Sequence, residues 1–214
     1  MTSLTWTQWT RSKIITLVVF MAAVVFTAVA CTSGNQAAEA GIAPEKVTDY
    51  LFTVLSADRT AYTRHVVGRL TVLEGVENEK GVVNAEATEF WEENNGVPLP
   101  AQMFRLGAEL GSEGGELTYG LISTWYINDA HAPKGEFEEN GITEVEATAE
   151  PYKGYQEIGG QRYFSAMYPD IAVAPACVSC HNAHPVHQER YPDKVFELDE
   201  VMGAVVINLP IADS

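Results

Sequence analysis

Three side chains late in the sequence have types and a spacing that can do chemistry together. Cys177 and Cys180 are separated by two residues, and His181 follows at once. C-x-x-C-H is the attachment signature of c-type haem. The two thiols add across the two vinyl groups of the haem, and the adjacent imidazole becomes the proximal ligand of the iron. The motif therefore predicts one covalent haem c, bound through Cys177, Cys180 and His181.

Two other interpretations of this cluster are weaker. A redox-active C-x-x-C pair usually lies in a β-α-β pattern, and the surrounding sequence does not have one. A zinc site completed by His184 and His187 would need about a dozen residues between the two ligand pairs. Only residues 181–183 separate Cys180 from His184. Haem c therefore remains the prediction.

The second axial position of the iron would decide its chemistry. A Met or a second His there closes the site and favours electron transfer, whereas an open position admits a small molecule. His184 and His187 follow His181 too closely to reach the opposite face of the haem. His131, in NDAHAP, is expected to be an ordinary loop residue. The candidates for this position are His65, His131, Met103, Met167 and Met202.

An export signal precedes the body of the chain. Residues 14–30 carry no charge and follow Arg11 and Lys13. Such a helix would span about 25 Å, less than a hydrocarbon core of about 30 Å. The A-x-A pattern at residues 28–30 suits signal peptidase, and the following Cys31 resembles a bacterial lipoprotein signal that lacks its usual Leu. Lipidation at Cys31, cleavage to a soluble form and retention as an anchor stay open, and each places the body outside the cytoplasm.

The chain is strongly acidic, with 13 Lys and Arg against 29 Asp and Glu and a net charge of -16. This charge repels phosphate backbones and anionic membranes, so we expect no nucleic-acid binding and a discrete membrane anchor. It would steer a basic redox partner towards the protein, or simply maintain solubility. The length suits one domain. We predict a signal peptide or anchor at 1–30, a tether at 31–42 and the haem domain at 43–214.

Apolar spacing and turn residues predict the elements that must position these side chains. Residues 43–74 read as a helix with a break near Asp58 and Arg59, and QMFRLGAEL as a second helix. LTYGLISTWYIN reads as a strand, and residues 129–150 as a long acidic connection. Two aromatic-rich runs around Gly159-Gly160 predict a β-hairpin.

The remaining segments complete the predicted fold. The haem motif lies in a coil from Ile171 to Pro192, and VMGAVVINLPI reads as a buried last strand. Helices first and strands later predict an α+β domain. We expect an antiparallel sheet with helices on one face and the haem loop just before the last strand.

With these motifs the sequence resembles the Tll-type c-haem domain family from about Ala43 to Ile211. The segments that carry the resemblance are AYTRHVVGRL, LISTWYINDAHAPKGEFE, GGQRYFSAMYPDIAVAPACVSCHNAHP and DEVMGAVVINLPI. The resemblance implies a PAS-like antiparallel sheet with flanking N-terminal helices and an attached haem c. Such domains occur alone or as the extracytoplasmic part of bacterial sensors, so the resemblance does not decide the function.

The resemblance also implies a distal iron ligand on the N-terminal helix. On that basis His65, in AYTRH, is the first candidate, and Met167 is the alternative. Arg162 is a candidate partner for a haem propionate. Gly203, in the last strand, could permit a close approach of backbone or haem, or mark a bulge.

Two functions compete at this point. The first is a membrane-tethered, periplasmic-side mono-haem c-type cytochrome that transfers electrons or serves as an accessory subunit of a redox complex. The alternative is a haem-based sensor of redox state or of a small ligand, which we expect to signal through a partner. Enzymatic peroxide reduction is not expected, because it would need an acid–base group at an open iron. His65 could serve as that group, but nothing else in the sequence supports it.

Overall fold

The computed structural model describes residues 41–78, 81–82, 86–113 and 117–211. The predicted export segment and Cys31 lie outside these described residues. Within the described ranges, no helix is both long enough and apolar enough to cross a membrane. Ala43–Ser214 forms one compact unit, and that unit carries the site.

A long helical segment begins the described domain. α1 (Pro44–Tyr62) has a proline in its first turn, where the missing N–H costs no hydrogen bond. It continues through a π-helical turn (Thr63–Val67) into α2 (Gly68–Leu73). The interruption of the apolar spacing near Asp58 does not end the helix, because α1 runs through that position and the widened turn follows it.

Four short elements occupy the middle of the chain, namely β1 (Glu77–Asn78), β2 (Gly81–Val82), α3 (Pro100–Glu113) and β3 (Thr118–Ile122). β1 and β2 pair with each other, apart from the main sheet. α3 contains the predicted second helix. β3 is shorter than predicted because the chain turns at Thr124 and Trp125. The aromatic residues that suggested a longer strand therefore lie in the loop after it.

The predicted acidic connection is instead a regular helix. A 3-10 turn (Asp129–His131) precedes α4 (Gly135–Thr148), which has 14 residues. Glu136, Glu139 and Glu144 are exposed, while Ile142 and Val145 are almost fully buried against the sheet. The prediction was wrong because so few apolar residues mark the buried stripe of this helix.

Three longer strands complete the main sheet, namely β4 (Tyr152–Ile158), β5 (Gln161–Ile171) and β6 (Val201–Pro210). The spatial order is β3-β6-β5-β4, and every neighbouring pair is antiparallel. Gly159 and Gly160 connect β4 to β5 with φ of 60° and 83°. These left-handed positions suit glycine in a tight turn, and the predicted hairpin is confirmed.

Helices cover both faces of the sheet. On one face α4 packs over Met167, Ala204 and Val206. On the other face α1 and α3 cover the alternate positions, which include Tyr168 and Ile207. The expectation of helices on one face is therefore wrong. β5 and β6 are buried at nearly consecutive positions, and a strand buried on both sides needs a layer on each side.

The segment between β5 and β6 is also more regular than predicted. In place of a coil it forms α5 (Pro175–Ala183) and α6 (Pro185–Arg190), each beginning with proline in its first turn. The C-x-x-C-H motif thus lies on α5. The predicted α+β class is confirmed, with an antiparallel sheet, flanking helices and the motif just before the last strand.

Candidate haem site

The helix α5 places the three predicted attachment side chains on one face. Cys177, Cys180 and His181 stand at positions i, i+3 and i+4, which are neighbours on a helix surface. All three border one cavity of about 130 Å³. Both thiols are free. The spacing of the motif and the cavity beside it suit a flat ligand bonded at two points.

The far ends of the cavity come from distant parts of the chain. Arg59, Thr63 and Val67 line it from α1 and the π-helical turn. The start of α3, the loop after β3 and the first residues of β6 supply the rest, including Trp125, His131 and Met202. The fold thus assembles one site from residues more than a hundred positions apart.

His181 sits in an aromatic corner of the cavity. Its ring centroid lies 5.8 Å from that of Phe196 and 6.5 Å from that of His187, with edge-on geometry in both cases. Burial lowers the pKa of His181 to about 4, although Asp170 opposes the shift. The buried Nδ1 has no hydrogen-bond partner among the described residues. A neutral imidazole is the form that binds iron.

The thiols are not poised for redox chemistry. Burial raises the pKa of the Cys180 thiol, and the charges of Glu89 and Cys177 raise it further. Reactive cysteines show the opposite shift, because the thiolate is the nucleophile. Within the described parts of the chain, no group of three or more His, Cys, Asp or Glu could hold a metal ion. The disulfide and zinc interpretations therefore gain no support.

Two side chains anchor the segment that carries the motif. The Asn182 Nδ2 donates to the Phe196 carbonyl at 3.0 Å, and the Phe196 N–H donates to Asn182 Oδ1 at 2.9 Å. The buried His187 donates from Nε2 to the Lys194 carbonyl at 2.8 Å. Sequence reasoning gave Asn182 no role and placed His187 only in the zinc alternative. A polar residue directly after the C-x-x-C-H motif was the available signal.

A partly buried ion pair forms part of the cavity wall. The Arg59 guanidinium bonds to the Asp170 carboxylate at the end of β5, and Arg59 Nε is buried without a partner among the described residues. Arg59 is therefore the cation that borders the cavity. Arg162, the predicted propionate partner, lies elsewhere, because it stacks 5.0 Å over the Tyr155 ring at the exposed end of the hairpin.

The structure does not bring the first predicted distal ligand to the cavity. His65 is exposed, whereas Thr63 and Val67 of the same π-helical turn are buried and line the cavity. Positions four residues apart share a helix face, and His65 falls between them. His65 therefore does not border the cavity beside the motif, and its role as an iron ligand stays a prediction.

The predicted alternative, Met167, is also directed elsewhere. It is fully buried in the core between the sheet and α4, close to Gly141. Met103 is exposed on α3 and borders a different groove. Gly203 serves a close backbone approach, because a Cβ there would collide with the carbonyl oxygen of Ile122 in β3. Of the sequence candidates for the second axial position, His131 and Met202 border the cavity.

His131 is the imidazole on the side of the cavity formed by the loop after β3. Burial lowers the pKa of His131, and the charges of Arg105, Arg59 and Lys134 lower it further. The ring also borders a groove along α3 that Arg105 lines. The expectation of an ordinary loop residue missed this placement, because spacing along the chain does not show which loop returns to the cavity.

Fold and site together define an α+β domain with a C-x-x-C-H helix that borders a closed-in cavity. The chain belongs to the Tll0287-like family, whose model matches residues 37–210. Among solved structures, it is similar to the crystal structure of the cyanobacterial haem protein Tll0287, with 15% sequence identity and a TM-score of 0.49. That match covers 80% of this chain and 99% of the other. No curated protein matches the sequence.

Proposed function

We propose that the chain binds one haem c covalently through Cys177 and Cys180, with His181 as the proximal iron ligand. The observation that carries this proposal is that these three side chains share one helix face and border one cavity. Membership of the Tll0287-like family supports the same cofactor, because Tll0287 is itself a haem protein. When bound, haem supplies a one-electron iron couple.

The residues around the motif would hold the cofactor in place and exclude water. Asn182 fixes the end of the attachment helix, and Phe196 restrains the ring of His181. Met202, with its apolar neighbours, packs against Cys177 and Val178 under the helix. Arg59 is paired with Asp170, but its Nε has no partner among the described residues and could donate to a haem carboxylate at the cavity wall. The chain thus supplies two thiols, one axial nitrogen and a dry pocket.

We propose electron transfer, rather than enzymatic catalysis, as the role of this site. The protein would act outside the cytoplasm on the periplasmic side, tethered to the membrane by the N-terminal segment or by a lipid on Cys31. Its net charge of -16 supports a partner with a basic docking face, such as a redox protein or a membrane redox complex. A closed, six-coordinate iron would suit this role.

A haem-based sensor is the second candidate, and one observation favours it. Thr63 and Val67, which line the cavity, belong to a π-helical turn within a long helical segment. Such turns are frequent at functional sites. A change at the iron could be transmitted along α1 towards the predicted tether. This function would need an iron position that a small molecule can enter.

The direct test is expression of the full chain in a host that matures c-type cytochromes. We expect a haem-staining band on a denaturing gel and a reduced spectrum with the α band of haem c. The Cys177→Ser/Cys180→Ser double variant should lose the stained band. Cys31→Ser is the matched control, because it removes the third cysteine of the chain and leaves the motif intact.

Two results would contradict the proposal. One is a wild-type protein without haem, and the other is a double variant that still stains on a denaturing gel. Carbon monoxide then separates the two roles. A reduced spectrum that carbon monoxide does not change supports electron transfer, and a shifted spectrum supports the sensor.

A further inference from the structure

We propose that His131 is the second axial ligand of the haem iron, opposite His181. This inference rests on the proposed attachment of haem c at the C-x-x-C-H motif. It names the residue that would occupy the second axial position of the iron, and that position bears on the choice between electron transfer and sensing.

The loop that carries His131 is fixed by several hydrogen bonds. The Ser123 N–H donates to the His131 carbonyl at 3.0 Å, and the His131 N–H donates to the Asn128 carbonyl at 2.9 Å. The Asn128 side chain caps the 3-10 turn by accepting from the Ala130 N–H at 2.9 Å. At the other end of the loop, Thr124 donates to Glu146 of α4 at 2.8 Å. These hydrogen bonds therefore fix the position of the backbone from which the His131 side chain extends.

The two histidines reach the cavity from different walls. His181 comes from α5, where Phe196 and His187 pack around its ring. His131 comes from the loop after β3, and it also borders the groove along α3 that Arg105 lines. A haem held by the motif would lie in the space that both rings border. Imidazole is a good ligand for iron, and two imidazoles complete its axial positions.

Met202 is the strongest rival, and its packing directs it under the attachment helix. It is buried with Ala172 and Phe196, and this cluster packs against Cys177, Val178 and Trp125. Phe196 also contacts the ring of His181. Met202 therefore packs in the same cluster as the proximal side of the site, which favours His131 as the ligand on the other face of the haem.

The oxygen donors that border the cavity are already engaged. Thr63 donates to the Arg59 carbonyl at 2.8 Å, and Ser123 donates to the Met202 carbonyl at 2.7 Å. The Asp170 carboxylate is paired with Arg59. Within the described residues, the ring nitrogens of His131 make no hydrogen bond, so the imidazole lone pair is available.

The Tyr126 side chain on that loop is held by contacts of its ring. The Tyr126 ring packs edge-on against Tyr191 at 6.3 Å and under the Arg190 guanidinium at 5.3 Å. These contacts hold Tyr126 at the rim of the cavity, beside α6. Of the side chains bordering the cavity in the described part of the chain, His131 best satisfies position, availability and ligand chemistry.

The test compares full-length holoprotein in wild-type form with three variants. We expect wild-type protein to be low-spin in both oxidation states, with a ferric near-infrared and EPR signature of two histidine ligands. His131→Ala should lose the ferric low-spin spectrum and bind carbon monoxide when reduced. Added imidazole should restore the low-spin spectrum of His131→Ala, which a merely misfolded protein would not show.

Two controls make the assignment specific. His65→Ala removes an exposed histidine of the neighbouring π-helical turn and should retain the wild-type spectrum. Met103→Leu removes the sulfur of an exposed methionine that borders a different groove, and it should also stay low-spin. Loss of the low-spin spectrum in either variant, with His131→Ala unchanged, would overturn the proposal.

The spectrum of the wild-type protein gives a test that does not depend on any variant folding. A histidine–methionine signature, or a high-spin ferric iron, would overturn the role of His131 while the haem remained attached. Absence of haem from the wild-type protein would instead remove the proposed function itself. Failure of the inference and failure of the proposed function therefore give different spectra.

Discussion

At the residue scale, the attachment motif and the rest of the site differ in how much the sequence reveals. Cys177, Cys180 and His181 are close together in the sequence, so their spacing alone predicts that two thiols and an imidazole would bind the same haem. Arg59 and His131 reach the same cavity from elsewhere in the chain. Sequence spacing predicted a helix around His65 but not which of its faces meets the cavity. The π-helical turn contributes to this, because it changes the angle between successive side chains.

Asn182 allows a residue-scale test of how the attachment helix is held. Asn182→Ala would remove both hydrogen bonds to the backbone of Phe196. Because those backbone groups lie beside a buried ring, we expect the free energy of unfolding of the holoprotein to fall by about 1–3 kcal/mol. Denaturant titration measures this loss, and the haem-to-protein ratio should fall as well.

Gln188→Ala is the matched control for Asn182→Ala. Gln188 donates one exposed hydrogen bond to the Asn182 carbonyl at 3.0 Å. Its removal should change the free energy of unfolding by less than about 0.5 kcal/mol. Similar losses in the two variants would show that the bonds to Phe196 do not hold the helix.

At the element scale, the strands could be predicted better than the helices of the second half. β5 and β6 are marked by aromatic and β-branched residues and by a Gly-Gly turn. α4 was missed because its buried stripe is narrow and its other residues are acidic and polar. The apolar run in β6 did indicate a buried strand, but the prediction of helices on one face did not use its consequence, a covering layer on each side.

Gly141 shows how closely that missed helix lies on the sheet. A Cβ at Gly141 would be 2.5 Å from Met167 Sδ and 2.6 Å from the Tyr152 ring. On an exposed helix, Gly→Ala stabilises by about 1 kcal/mol. Here we expect Gly141→Ala to destabilise by about 1–3 kcal/mol, because overpacking outweighs the gain in helix propensity. Thermal unfolding of the holoprotein measures the change.

Asn140→Ala is the control on the same helix, because Asn140 is exposed and adjacent to Gly141. It should leave the midpoint of thermal unfolding nearly unchanged or raise it slightly. A Gly141→Ala protein that is as stable as Asn140→Ala would contradict the close packing of α4 on Met167 and Tyr152.

At the scale of the whole molecule, the net charge and the proposed covalent haem both favour a domain outside the cytoplasm that is held by a discrete anchor. Covalent attachment retains a haem outside the cell, where a merely coordinated haem could be lost. The acidic surface keeps the domain away from anionic lipid, so any tether must be a discrete anchor. Cys31 is outside the C-x-x-C-H motif and is the residue that a lipoprotein signal would modify. We therefore propose lipidation at Cys31 as the tether.

Processing of the N-terminal segment gives the test at this scale. In a bacterial host, we expect the full-length chain to lose residues 1–30, gain a lipid on Cys31 and appear in the membrane fraction. Intact-mass measurement and fractionation check both points. Cys31→Ser should lose the lipid mass and keep its haem, because the attachment thiols are Cys177 and Cys180. A wild-type mass that retains residues 1–30 would support a membrane anchor instead, and an unlipidated soluble form would support simple cleavage. This experiment therefore tests the membrane attachment independently of haem attachment, because the two would depend on different cysteines.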